Sequence, residues 1–201
     1  MDPKLSAYVD LLFKWNRAVR LTAFETKEEA HSMGVLPSLA IADEIGREGT
    51  LLDVGSGGGF PAIPLAIARP DLRVTCTEPS LQKAAFLREM AVQLDLNLSV
   101  ETCPAEMLLR RSQVRWDAVT VRGVHLRHGL LKRMASSLAP GGLMAIWSGG
   151  EREQSYAKWA SEAGLLVERQ VLPTFPPVSL LLARVPRGTS SRSTPETVPS
   201  P

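Results

Sequence analysis

The chain has 201 residues, is 44% hydrophobic and carries a formal net charge of +2. That length and apolar content suffice for one α/β domain with its own core and exclude a disordered chain. The two cysteines, Cys76 and Cys103, are too few for a disulfide framework and read as small buried hydrophobes within strands. No apolar run reaches the roughly 18 residues of a membrane span, and the start, MDPKLSAYVDLLFKWN, lacks the features of a signal peptide. A cytoplasmic enzyme is expected. Charge is uneven: residues 1–100 carry 10 Lys and Arg against 13 Asp and Glu, and residues 101–201 carry 13 against 8. Arg110, Arg111, Arg115, Arg122, Arg127, Lys132 and Arg133 cluster with Asp117 as the one acid among them. Such a cluster either meets a polyanion or forms an ordinary solvated face.

The periodicity predicts a first amphipathic helix over Leu5–Val19, with Lys14, Arg17 and Arg20 on one side. Thr26 and Glu29 have capping-box spacing and open a second helix reaching Leu39–Ile45, interrupted near Gly34 and Pro37. From Thr50 the pattern alternates. Strands are predicted at Leu51–Val54, Arg73–Thr77, Leu98–Thr102, Trp116–Val121 and Leu143–Trp147. Helices are predicted at Pro61–Ala68, Leu81–Leu94, Ala105–Leu109, Arg127–Leu138 and Gln154–Ala163, with a turn at Pro140-Gly141-Gly142. Leu165–Val171 and Ser179–Val185 flank Pro173, Pro176 and Pro177, which forbid helix and imply an antiparallel hairpin. This order implies a mostly parallel, doubly wound sheet. The expected units are an N-terminal helical extension (1–49), a core (50–186) and a disordered tail (187–201).

Leu51–Pro64, LLDVGSGGGFPAIP, reads as a strand that breaks into glycine and enters a helix. Such a loop brings backbone N–H groups and a helix N-terminus to one spot, which suits a cofactor. Glu78 ends the second strand, 25 residues after Asp53, where a carboxylate can accept hydrogen bonds from ribose hydroxyls. NAD and S-adenosylmethionine both use that arrangement. Phe60 stands where a dinucleotide loop places its last glycine, and Asp53 beside the loop suits a cationic sulfonium better than a pyrophosphate. Both favour S-adenosylmethionine, as do Pro140-Gly141-Gly142 and the terminal hairpin.

These residues resemble the bacterial RsmG (GidB) methyltransferases, which methylate guanine N7 in small-subunit ribosomal RNA. The resemblance covers about residues 8–149. It rests on Lys14-Trp15-Asn16 with Leu21-Thr22, on Asp53-Val54-Gly55-Ser56-Gly57-Gly58-Gly59-Phe60-Pro61 with Ile63-Pro64-Leu65, on Arg69-Pro70, on Lys83 with Phe86-Leu87, and on Arg122. It implies a Rossmann-like class I S-adenosylmethionine-dependent fold with an antiparallel C-terminal hairpin and N-terminal helices. By the same resemblance, Gly55 and Phe60 hold the methionine end, Glu78 the ribose, and Ala105 and Glu106 flank the adenine. Arg122 reaches the cofactor or the target base and is the one residue assigned to catalysis. Departures are Arg20 for an asparagine, Met33 and Gly34 for an Arg-His pair, Pro37 for an aspartate, Gln82 for a lysine, Gly123 for an alanine and Ser148 for a lysine.

The implied reaction is methyl transfer to guanine N7, which has a lone pair and no proton to lose, so no general base is required. No metal is implied, because His31, His125 and His128 lack ligand spacing with the cysteines. The implied partner is small-subunit ribosomal RNA or the small subunit, with no membrane and with a monomer favoured. Lys14, Arg17, Arg20 and the stretch Arg122 to Arg133 would hold the RNA. Phe60 either helps to hold the unstacked guanine or packs on the cofactor. The departures motivate two other readings: a methyltransferase for another RNA or a small molecule, and a non-catalytic cofactor-binding partner of ribosomal RNA.

Overall fold

The computed structural model describes residues 2–148, 151–174 and 177–187. Seven strands form one sheet in the order β3-β2-β1-β4-β5-β7-β6. They are β1 Thr50–Val54, β2 Arg73–Thr77, β3 Leu98–Glu101, β4 Trp116–Arg122, β5 Leu138–Trp147, β6 Leu166–Leu172 and β7 Val178–Arg184. The first five are parallel, while β7 runs antiparallel to both β5 and β6. The expected terminal hairpin is therefore present, with β7 inserted between β5 and β6. Pro176 and residues 188–201 of the expected tail lie outside the described residues.

The central strands are buried on both faces, and their side chains alternate between two cores. Leu51, Leu143 and Ala145 enter one core, with α1 Pro3–Asn16, α4 Ala62–Ala68 and α5 Leu81–Gln93. Leu52, Met144 and Ile146 enter the other, with α6 Ala105–Arg111, α7 His128–Ser137 and α8 Glu151–Glu162. Phe86, Leu87 and Met90 on α5 are fully buried. Continuous apolar strands with helices on both sides are what a parallel sheet requires.

Several boundaries differ from the sequence reading. Helix α1 ends at Asn16, because the Asn16 side-chain oxygen accepts the N–H groups of Leu21 (2.8 Å) and Thr22 (3.1 Å) and turns the chain. Arg20 therefore lies outside the helix, and Lys14, Arg17 and Arg20 do not share one helical side. The second helix starts as expected, with the Thr26 hydroxyl accepting from the Glu29 N–H (3.1 Å). Glu29 reaches back to the N–H of Glu25 rather than to that of Thr26. After α2 (Lys27–Glu29) the helix widens into a π turn over Ala30–Val35 and narrows again at α3 (Leu36–Leu39). Pro140-Gly141-Gly142 is not a turn before β5 but an irregularity inside it, since Leu138 already pairs with Trp116. Cys103 is buried just beyond β3 rather than within it.

The N-terminal helices are tied to the sheet at the glycine loop. Tyr8 on α1 is fully buried, and its hydroxyl donates to the Gly58 carbonyl at 2.6 Å. Burial pushes the Tyr8 phenol well above its ordinary range, so it stays a donor. The stretch between α3 and β1 is gathered by Arg69, whose guanidinium donates to the carbonyls of Ile45 (3.0 Å) and Gly46 (2.9 Å). Tyr8→Phe removes the one hydrogen-bond partner that the Gly58 carbonyl has among the described residues and is expected to destabilise the fold by about 1–3 kcal/mol in urea unfolding. An unchanged midpoint and slope would show that the loop is held without Tyr8.

Candidate active site

Beyond Val54 the chain turns sharply. Gly55 (φ +71°), Gly57 (+51°) and Gly59 (+94°) all adopt left-handed backbone conformations that disfavour side chains. At Gly59 a Cβ would also stand 2.4 Å from the Cδ1 of Ile63. The N–H groups of Gly55 and Ser56 donate to the Thr77 carbonyl at 2.9 and 3.1 Å, so the loop is bonded to the end of β2. Glu78 completes the attachment. It is 6% exposed; Oε2 accepts from the Gly57 N–H and Oε1 from the Ser80 N–H, both at 2.9 Å. Each oxygen keeps acceptor capacity for one further donor.

Above this loop lies a cavity of about 560 Å³. All six residues singled out as cofactor contacts line it: Gly55, Phe60, Glu78, Ala105, Glu106 and Arg122. They come from the ends of β1, β2 and β4 and the start of α6, at the carboxyl edge of the sheet beside β1. Leu21, Thr22 and Phe24 also line the cavity, and the sequence reading did not assign them to the site. The available signal was Asn16, whose side chain bends the chain at Leu21-Thr22 toward the loop. A Cβ on Gly58 would lie 2.8 Å from the Leu21 carbonyl oxygen, so the two segments touch through backbone.

Arg122 ends β4 and is pinned from the N-terminal side. Its Nη1 donates to the Gly34 carbonyl at 3.0 Å and its Nη2 to that of Met33. Both acceptors lie in the π turn. The guanidinium also sits 5.8 Å from the centroid of the Phe60 ring. Burial lowers the Arg122 pKa from its ordinary value. The Phe60 ring makes T-shaped contacts with Tyr8 (5.4 Å) and Phe24 (5.8 Å). A Cβ on Gly34 would lie 2.7 Å from that ring. Phe60 is therefore packed from the N-terminal side while it still lines the cavity.

Asp53 does not line the cavity, contrary to its expected place beside a sulfonium. It is 1% exposed in central strand β1, and its Oδ1 accepts from the Thr120 hydroxyl on β4 at 2.6 Å. Its Oδ2 has no partner among the described residues. Of the three histidines, His125 lines the cavity, while His31 and His128 do not. Lys14, Arg17 and Arg20 are all exposed.

A Rossmann-like sheet with a terminal antiparallel hairpin and a glycine loop bonded to an acid after β2 defines a class I methyltransferase that uses S-adenosylmethionine. The lining fits that group: glycines let a ligand approach the loop backbone closely, and a fixed buried carboxylate suits its ribose. Comparison with known proteins agrees. GidB, described as rRNA small subunit methyltransferase G, matches residues 1–175. The ribosomal RNA small subunit methyltransferase G of Neisseria gonorrhoeae is 40% identical over 147 residues, covering 73% of this chain and 70% of that protein. Among solved structures, the precorrin-6y C5,15-methyltransferase of Geobacter metallireducens matches with a TM-score of 0.64 and 17% identity, over 81% of this chain and 90% of that one. A SAM-dependent O-methyltransferase of Thermotoga maritima matches with a TM-score of 0.62 and 14% identity, over 88% and 71%. At such identities the structural likeness speaks for the fold alone. The chain belongs to the GidB family of small-subunit rRNA methyltransferases.

Desolvation pushes the Asp53 carboxyl up to about 6, against the opposing hydrogen bond from Thr120. The folded chain thus holds this proton more tightly than the unfolded chain, whose Asp titrates near ~3.9. The contribution of Asp53 is complete below about pH 4 and is lost as pH rises through about 6. Asp53→Asn, which keeps an acceptor for Thr120, should gain about 2–3 kcal/mol on wild type between about pH 4 and 7.5. Urea unfolding at the two pH values checks this, and a pH-independent difference would mean that Asp53 titrates normally.

Proposed function

We propose that the chain methylates N7 of a guanine in small-subunit ribosomal RNA, in the cytoplasm and as a monomer. The observation that carries this reading is the gathering of six family positions around one cavity in a chain of this family. Residues 1–49 act as a helical extension on a methyltransferase core of residues 50–186.

S-adenosylmethionine supplies an electrophilic methyl group when bound. Gly55 and Phe60 hold its methionine end, Glu78 accepts hydrogen bonds from its ribose, and Ala105 and Glu106 flank its adenine. The two backbone N–H groups on Glu78 keep that carboxylate from turning away, so its acceptor sites are set in advance. Guanine N7 has no proton to lose, so the chain supplies placement and not a base. Arg122 donates to the acceptor base, with its orientation set by the carbonyls of Met33 and Gly34. Those two acceptors are backbone atoms, so the loss of the family's Arg-His side chains at Met33 and Gly34 leaves this hold on Arg122 intact. Lys14, Arg17, Arg20 and the stretch from Arg122 to Arg133 hold the RNA by salt-dependent phosphate contacts.

Glu78→Ala is expected to weaken S-adenosylmethionine binding by about 1–3 kcal/mol in calorimetry. An unchanged Kd would remove Glu78 from the ribose. Labelled methyl transfer to purified small subunits, followed by nucleoside analysis, is expected to yield 7-methylguanosine. Label in another nucleoside, or none, would overturn the N7 reading. In the same assay Arg122→Ala should lower kcat more than it changes cofactor affinity, and the reverse would place Arg122 on the cofactor.

A further inference from the structure

A second depression lies between α6 and α7, outside the cofactor cavity. It has a volume of about 830 Å³, and Arg115, Lys132, Arg133, Gln113, Ser112 and Ser136 stand along it. None of its lining residues is a carboxylate. Of the acids nearby along the chain, Glu106 on the first turn of α6 lines the cofactor cavity, and three others are engaged elsewhere. Asp117 bonds the N–H and hydroxyl of Thr50, Glu101 pairs with Arg111, and Glu162 lies 3.6 Å from His128. The Arg115 guanidinium donates to the Ser136 carbonyl at the end of α7. Lys132 and Arg133 are exposed, and among the described residues their side chains have no ion pair or hydrogen bond. The same holds for Arg110 and Arg127, which flank the groove. These cations are not solvated partners of surface acids; they are left uncompensated.

The groove and the cavity are lined by the same two helices. The first turn of α6 (Ala105, Glu106) lines the cavity, and its far end (Leu109, Ser112) lines the groove. Arg127 and Leu130 face the cavity, while Gly129, Lys132 and Ser136 face the groove. Helix α7 has ten residues and is about 15 Å long, enough for a short stretch of polynucleotide leaving the cavity. Exposed cations, hydroxyls and an amide without a carboxylate suit phosphate oxygens and ribose hydroxyls.

We infer that the groove between α6 and α7 receives the sugar–phosphate backbone of the nucleotides flanking the methylated guanine, with Lys132 and Arg133 as phosphate contacts. This rests on ribosomal RNA being the acceptor. It narrows the basic stretch to one groove, with Lys14 and Arg17 as secondary contacts.

The test uses the full chain and transcribed small-subunit ribosomal RNA, with binding measured between about 50 and 200 mM KCl. The Lys132→Gln/Arg133→Gln double variant should bind at least about tenfold more weakly at the low-salt end. Its log–log salt slope should be shallower by about 1.4–1.8, the value for two lost phosphate contacts. The charge-keeping Lys132→Arg/Arg133→Lys variant should bind like wild type, and Lys14→Gln/Arg17→Gln should lose less than the groove variant. Cofactor affinity and Tm should be unchanged in all three. A groove variant with wild-type affinity and slope, beside a wild type that methylates small subunits, overturns the groove and leaves the function standing. A greater loss from Lys14→Gln/Arg17→Gln also overturns it, in favour of the N-terminal helix. A wild type that transfers no methyl to RNA overturns the reading of function instead.

Discussion

Glu78 accepts one hydrogen bond from the N–H of Gly57 and one from that of Ser80, and the cofactor side of the molecule depends on this junction. A glycine loop has little conformational preference of its own, so something must hold it in the one shape that borders the cavity. The Thr77 carbonyl and the Glu78 carboxylate do so from β2, and the Tyr8 hydroxyl does so from the opposite side. The ligand-facing acid is thus also a structural acid. Its carboxylate is oriented before any ribose arrives.

The N-terminal residues contribute to the site although they precede the sheet. Tyr8 meets the glycine loop, Leu21, Thr22 and Phe24 line the cavity, and the carbonyls of Met33 and Gly34 hold Arg122. A π turn is an uncommon conformation in which carbonyls are displaced from the ordinary helical ladder, often at functional sites. Here two of its carbonyls serve a guanidinium at the end of a central strand. Gly34 is required as much by Phe60 as by the helix, since any larger side chain would enter that ring.

Charge divides the molecule in a way that matches its two tasks. Beneath and beside the glycine loop the ionisable groups are shielded: Asp53 and Glu78 are buried and Arg122 is partly buried. Their electrostatics are strong because little water screens them, as the raised pKa of Asp53 shows. On α6, α7 and the loop before β4 the basic groups are exposed and mostly unpaired. There they act on a polyanion through release of its counterions. Precise contacts hold a small cofactor, and a sequence-blind surface holds a large acceptor.

Period and punctuation in the chain were enough to settle the alternating architecture, the terminal hairpin and the cofactor loop. Leu51–Val54 running into Gly55, with Glu78 after the next strand, is a local pattern with a local physical cause, and it was legible as written. The six residues taken from the family resemblance came together because each sits at an element end on the same edge of the sheet. What tertiary structure alone decided were contacts between segments far apart in sequence. Asp53 turned toward Thr120 rather than the cavity, because a central strand leaves its side chains no route to solvent. Pro140-Gly141-Gly142 became an irregularity within β5, because Leu138 found a partner in Trp116. Phe60 became a wall, because Tyr8, Phe24 and Arg122 converge on it from three separate elements. No periodicity encodes such meetings; they follow from the closing of two cores on either face of one sheet.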